Sequence, residues 1–143
     1  MAGDALGRSR VLLADEHPAT AQLWRQVIEA EFEVVAIVDG GNALVDACER
    51  LEPDVIVTDI AMPDMSGIAA AEIILRRNPA ARIVFVTVHA DRALLRKSLA
   101  IGAFGYVLKV RVGEDLLPAI RAALRGDRLV SPFPPWETTA GQA

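Results

Sequence analysis

Five short runs rich in Val, Ile, Leu and Phe recur along the chain, at residues 11–14, 34–38, 54–58, 83–87 and 104–108. Each is continuously apolar rather than alternating, as expected of strands covered on both faces. The segments between them carry apolar stripes at helical spacing. These are Leu23, Val27 and Ile28; Leu44, Ala47, Cys48 and Leu51; Ile68, Ile73 and Ile74; Leu94, Leu95 and Leu99; and Leu116, Leu117, Ile120 and Leu124. Such stripes predict five amphipathic helices, each with one face on a core. Punctuation places their ends: Pro18 suits a first helical turn, Asn78-Pro79 closes the third helix, and Gly102 follows the fourth. Pro118 falls in the first two turns of the last helix, where a proline is tolerated.

Strands alternating with helices in this way predict an α/β fold, a single doubly wound five-stranded parallel sheet with helices on both faces. Right-handed crossovers leave few topologies, and the flavodoxin-like order 2-1-3-4-5 is the commonest for five strands. In such folds function gathers at the carboxyl ends of the strands, where the strand order reverses. The expected organisation is an N-terminal extension over 1–8, one folded domain over 9–128, and a proline-rich tail or linker start over 129–143 containing Pro132, Pro134 and Pro135.

Composition narrows this picture. The 143 residues suit one domain that buries roughly two thirds of its unfolded surface. A hydrophobic fraction of 52% excludes a disordered chain, and no apolar run approaches the ~18 residues of a membrane span. The first ten residues lack an apolar signal region, so the expected location is cytoplasmic, with no membrane association. Cys48 is the single cysteine, which excludes an internal disulfide and a cysteine-based zinc site. The net charge is −4 and the arginines are scattered, with only residues 121–128 locally basic, which argues against nucleic-acid binding by this domain itself. Only Lys97 and Lys109 are lysines, so a lysine closing an apolar run stands out.

The predicted strand ends carry the chemistry. The first run ends in Asp15-Glu16, the third in Asp59, the fourth in Thr87 and the fifth in Lys109. In the order 2-1-3-4-5 these four strands are neighbours, so three carboxylates, a hydroxyl and an ammonium converge. Carboxylates this close repel unless a cation joins them. Acidic oxygens with a backbone carbonyl and water are what Mg²⁺ prefers. Such a set suits a transferring phosphoryl group, with Asp59 the simplest nucleophile, forming an acyl phosphate. Taken singly, each residue has a plain structural use: an aspartate after a strand is commonly a helix N-cap, and Asp39, after the edge strand, is read that way. His17 and His89 lack metal-ligand spacing and are read as having no special role. The constellation is the signal, not any member.

These residues resemble the CheY-like receiver domain of two-component response regulators over about residues 8–132. The segment Asp59-Ile60-Ala61-Met62-Pro63-Asp64-Met65-Ser66-Gly67 is similar to the receiver phosphorylation loop D-x-x-M-P-x-M-x-G. The stretches Ala14 through Pro18 and Gly102 through Lys109, with the ending from Ala119 through Gly126 to Ser131-Pro132, resemble the LuxR-type (NarL/FixJ) subfamily. The resemblance implies that Asp59 accepts phosphate from a sensor histidine kinase. It implies a Mg²⁺ site of Asp15, Glu16, Asp59 and the Ala61 carbonyl. Lys109 would then pair with a phosphoryl oxygen, while Thr87 and Tyr106 act as the switch, Tyr106 moving inward behind Thr87. From the residues alone, Tyr106 serves equally as a core aromatic with its hydroxyl at the rim. The protein so implied assists its own phosphotransfer and autodephosphorylation and is otherwise no enzyme.

Some positions depart from the family pattern. Glu16 stands where the family usually has Asp, Val88 follows Thr87 where Ala or Gly is usual, and Val110 replaces the common cis-proline after Lys109. A cis bond before a non-proline residue costs about 2.5–4 kcal/mol, so a trans or strained loop is expected there. LuxR-type regulators carry a helix-turn-helix output domain after a linker, so DNA contact is expected only through a domain absent from this chain. A receiver cut from a longer regulator is therefore expected, the alternative being a stand-alone receiver that signals by protein contact. A homodimer, through helices one and five or through the surface of helix four and strand five, fits the pattern as well. Two other functions compete. One is a degenerate receiver acting as a phosphorylation-independent interaction module. The other is a flavodoxin-like cofactor binder, disfavoured because the turn Asp15-Glu16-His17-Pro18 is acidic and lacks a Gly/Ser/Thr phosphate cradle.

Overall fold

The computed structural model describes residues 7–134. In chain order the elements are β1 (Arg10–Ala14), α1 (Pro18–Ile28), β2 (Glu33–Val38), α2 (Gly41–Leu51), β3 (Val55–Asp59), α3 (Gly67–Arg77), β4 (Ile83–Thr87), α4 (Arg92–Ala100), β5 (Gly105–Leu108), α5 (Val112–Arg125) and β6 (Leu129–Val130). A single 3₁₀ turn, Lys109–Arg111, joins β5 to α5. The sheet is parallel throughout, in the order β2-β1-β3-β4-β5-β6.

Side chains along the central strands alternate between two cores, because successive residues of a strand face opposite sides. Leu12, Ile56, Phe85 and Tyr106 pack with Leu44 of α2 and with Ile68 and Ile74 of α3. Val11, Leu13, Val55, Val57, Val84, Val86 and Val107 pack on the other face with Trp24 and Ile28 of α1 and Leu116, Ala119 and Ile120 of α5. Both faces are covered, which is why the strands read as unbroken apolar runs. The doubly wound architecture and the order 2-1-3-4-5 are as the sequence predicts, and β6 adds a sixth, two-residue edge strand.

That edge strand follows from the end of α5. Gly126 adopts φ +81°, and the Asp127 N–H reaches back to the Ala122 carbonyl at 2.8 Å, a left-handed helix stop suited to glycine. The chain is thereby turned alongside β5, with Leu129 opposite Gly105 and Val130 opposite Tyr106. The packed body therefore continues past 128: Ser131 is buried and Phe133 packs against the α2–α3–α4 core. The expectation that Leu23 belongs to the apolar stripe of α1 is corrected, since it is 63% exposed while Trp24 takes the buried position. Pro18 sits in the first turn of α1, Asn78 caps the end of α3, and Pro118 lies inside α5, as expected. Among the described residues no peptide bond is cis, so Lys109–Val110 is trans, and no helix is long and apolar enough to cross a membrane. Trp136 and most of the 1–8 extension lie outside the described residues.

Candidate phosphoacceptor site

The strand register brings the predicted residues together. Asp59 is paired with Val86 and Thr87 with Leu108, so Asp59, Thr87 and Lys109 follow one another across the carboxyl ends of β3, β4 and β5. Asp15 follows β1, whose last residue, Ala14, pairs with Thr58. Asp15 and Asp59 are 2% and 4% exposed, so two carboxylates are held almost out of water. Burial of that kind demands cationic or hydrogen-bonding partners.

Asp59 has a partner on each oxygen. Its Oδ2 accepts from Lys109 Nζ at 2.9 Å and its Oδ1 from the Ala61 N–H at 3.2 Å. Lys109 Nζ also lies 5.2 Å from the Trp24 ring centroid, a cation–π contact. Asp15 is less fully satisfied. Its Oδ1 accepts from the His17 N–H at 3.0 Å, whereas its buried Oδ2 has no hydrogen-bond partner. One ligand atom each from Asp15, His17 and Asp59 lie within 4.8 Å of one another. Two buried carboxylates this close, one with an oxygen lacking any partner, are an arrangement that a divalent cation completes. His17, read from sequence as having no special role, joins this group. Glu16 stands beside it, its Oε1 4.0 Å from His17 Nε2, and with Asp15 and Asp39 it lines a cavity of about 340 Å³.

The loop after Asp59 is fastened at several points. Ile60 and Met62 are buried in the α2–α3–α4 core. The Gly67 N–H closes the loop onto the Ile60 carbonyl at 2.7 Å, and Ser66 caps α3 by accepting from the Ala69 N–H at 3.0 Å. A Cβ on Gly67 would stand 2.0 Å from the Asp59 carbonyl oxygen, so only glycine permits this approach. Asp64 ties the loop to α2 by accepting from the Gly41 and Asn42 N–H groups at 2.9 and 3.0 Å. Those bonds, Asn42 first, hold its carboxyl down to about 2. Nothing local in the sequence signals that Asp64 caps a helix 22 residues upstream.

Thr87 and Tyr106 meet through His89. Thr87 Oγ1 accepts from the His89 N–H at 3.1 Å, and the Tyr106 hydroxyl donates to the His89 carbonyl at 2.7 Å. Tyr106 is fully buried, so its ring occupies the inward position, and burial first, then Asp91, pushes its phenol up to about 12. His89 therefore serves through its backbone, which its side-chain chemistry does not advertise. Val88 and Val110 are 66% and 83% exposed, so neither bulk is turned into the core.

A family model described as the response regulator receiver domain matches residues 11–121. The chain belongs to the response regulator receiver domain family. The receiver is 35% identical over 122 residues to YxjL, an uncharacterized transcriptional regulatory protein of Bacillus subtilis (strain 168), covering 84% of this chain and 56% of that protein. It is also 35% identical over 124 residues to the nitrate/nitrite response regulator protein NarP of Escherichia coli (strain K12), covering 85% and 58%. Its structure is similar to that of a LuxR-family two-component response regulator from Aurantimonas sp. SI85-9A1, with TM-score 0.87 and 32% identity over 95% of this chain and 99% of that one. The receiver thus spans somewhat more than half the length of these curated relatives.

Proposed function

We propose that this receiver takes a phosphoryl group from the phosphohistidine of a sensor kinase onto Asp59. The observation that carries the reading is the Asp59 carboxylate, buried, paired with Lys109 at 2.9 Å and within 4.8 Å of the buried Asp15 carboxylate, whose Oδ2 has no hydrogen-bond partner. An Asp59 carboxylate oxygen attacks phosphorus, the histidine N–P bond breaks, and the imidazole leaves with the bonding pair. Lys109 keeps a positive charge beside the developing equatorial oxygens. Low exposure keeps water from screening it. Asp15 and Asp59, with His17 or Glu16 and the Ala61 carbonyl, are the groups that would hold Mg²⁺. Bound there, the ion neutralises phosphoryl charge that two carboxylates would otherwise repel.

Thr87 supplies the switch: its hydroxyl is free to exchange the His89 N–H for a phosphoryl oxygen. Tyr106 reads that exchange through its bond to the His89 carbonyl, so the surface of α4 and β5 responds to one local charge. The receiver assists its own phosphorylation and dephosphorylation and turns over no other substrate. Control of transcription, by contact of a further domain with DNA, is the output that the regulator relatives suggest. Acetyl phosphate tests the reading: with Mg²⁺ it should give a phosphoprotein cleaved by hydroxylamine, as an acyl phosphate is. Labelling that persists in EDTA, or that resists hydroxylamine, would contradict it.

A further inference from the structure

Lys109 opens a turn whose own residues are not packed into the core. None of the three residues of Lys109–Arg111 is buried, and Val110 is 83% exposed. The core therefore grips the chain at Leu108 and Val112, on either side of the turn, but not within the turn from which the ammonium reaches Asp59. A polar network brackets the turn as well. Just before it, the Leu108 N–H donates to Ser131 Oγ at 3.1 Å. Ser131 Oγ in turn donates to Asp115 Oδ2 at 2.7 Å. At the end of the turn, Arg111 Nε donates to that same oxygen at 2.6 Å and Arg111 Nη2 to Asp115 Oδ1 at 3.3 Å. The residues on either side of Lys109 and Val110 thus belong to one continuous chain of hydrogen bonds.

Ser131 is the keystone by geometry. It is 1% exposed, and its own N–H donates to the Tyr106 carbonyl at 2.9 Å. The pairing of β5 with β6 ends one residue earlier, at Tyr106 and Val130, so the hydroxyl supplies the next rung that the backbone no longer provides. Asp115 is fixed by the bidentate Arg111, whose hydrogen bond is also the main reason its carboxyl lies below the usual range. The hydroxyl is therefore oriented, its proton on Asp115 and its lone pair toward Leu108.

We propose that Ser131, braced by Asp115, is a positioning residue for Lys109, so that the segment after α5 sets the reactivity of the phosphoacceptor site. The proposal rests on Asp59 being the phosphoacceptor. Losing the hydroxyl frees the Leu108 N–H and one arm of Asp115, and the turn then carries Lys109 over a wider range of positions. A displacement of about 1 Å in a positioned catalytic group costs up to about 10²-fold in rate, so a loosened rather than lost Lys109 should cost about tenfold.

The test uses the whole chain with Ser131→Ala and, as a volume-conserving second variant, Asp115→Asn. Two quantities are read: the rate of labelling by acetyl phosphate at saturating Mg²⁺, and the Mg²⁺ dissociation constant from tryptophan fluorescence. Ser131→Ala should label about tenfold more slowly and Asp115→Asn more slowly than wild type, neither with weakened Mg²⁺ affinity. On a Lys109→Ala background the Ser131→Ala change should add no further loss, because the two residues act through one ammonium. Wild-type labelling by either folded variant would overturn the proposal. So would Mg²⁺ affinity falling in step with the rate, or a further loss on the Lys109→Ala background, each of which marks general structural damage. A wild-type protein that takes up no phosphate would instead overturn the assignment of Asp59, a distinguishable failure.

Discussion

Gly67→Ala is the change whose consequence follows most directly from the geometry. The added Cβ would stand 2.0 Å from the Asp59 carbonyl oxygen and 3.1 Å from the Ile60 Cα. Real Cβ atoms do not come within 3.0 Å of another heavy atom, so the gap must open by at least 1.0 Å, the difference of the two distances. The atom met is backbone, held on one side by β3 and on the other by the Gly67 N–H bond to Ile60, and it has no rotamer by which to yield. Overpacking of this kind costs about 1–3 kcal/mol, against which alanine's helix preference over glycine returns at most about 1 kcal/mol. A net loss near 2 kcal/mol lowers Tm by about 7 °C in a domain of this size. The same movement displaces the Asp59 carboxylate relative to Lys109, and misplacement by about 1 Å should slow acetyl phosphate labelling by about 10²-fold. Gly113→Ala in α5 is the control, since its Cβ would meet nothing within 4 Å and should leave labelling unchanged. Calorimetry and labelling rates on the two variants decide the matter. A Gly67→Ala protein with wild-type Tm and wild-type labelling would refute the argument.

Other expectations follow from single contacts. Tyr106→Phe removes the donor to the His89 carbonyl and should cost about 1 kcal/mol in urea unfolding. It should also abolish an alkaline loss of stability. The folded phenol binds its proton more tightly than the unfolded one, so its contribution is whole below pH 10 and is lost as pH rises toward about 12. Asp64 gives the opposite sign. Its depressed carboxyl contributes stability above the ordinary value of 3.8 that is lost as pH falls toward about 2, and acid unfolding of Asp64→Asn should lack that component. Lys109→Met removes the cation 2.9 Å from Asp59, so Mg²⁺ titration should show tighter binding while labelling slows.

The two cores were legible because Val55, Ile56 and Val57, like their counterparts in β1 and β4, are buried whichever face they meet, and an unbroken apolar run reports that directly. The convergence of Asp15, Asp59, Thr87 and Lys109 was legible because strand order alone fixes which strand ends are neighbours. Contacts that depend on how the chain turns were not. β6 is two residues long and exists because Gly126 redirects the chain beside β5, which no periodicity reveals. Leu23 and Trp24 are adjacent and both apolar, so the spacing of α1 alone did not choose between them. His17 enters the acidic group by standing two residues after Asp15 at the start of α1, and Ser131 reaches Leu108 across 23 residues of chain. Such long-range polar contacts leave no periodic trace.

Every role given to the site depends on Asp59 being the acceptor. Intact-mass spectrometry after incubation with acetyl phosphate and Mg²⁺, on wild type and Asp59→Asn, tests it most directly. A gain of about 80 Da in wild type and none in Asp59→Asn is the predicted result. Equal labelling of both proteins, or no labelling of a folded wild type, would contradict it.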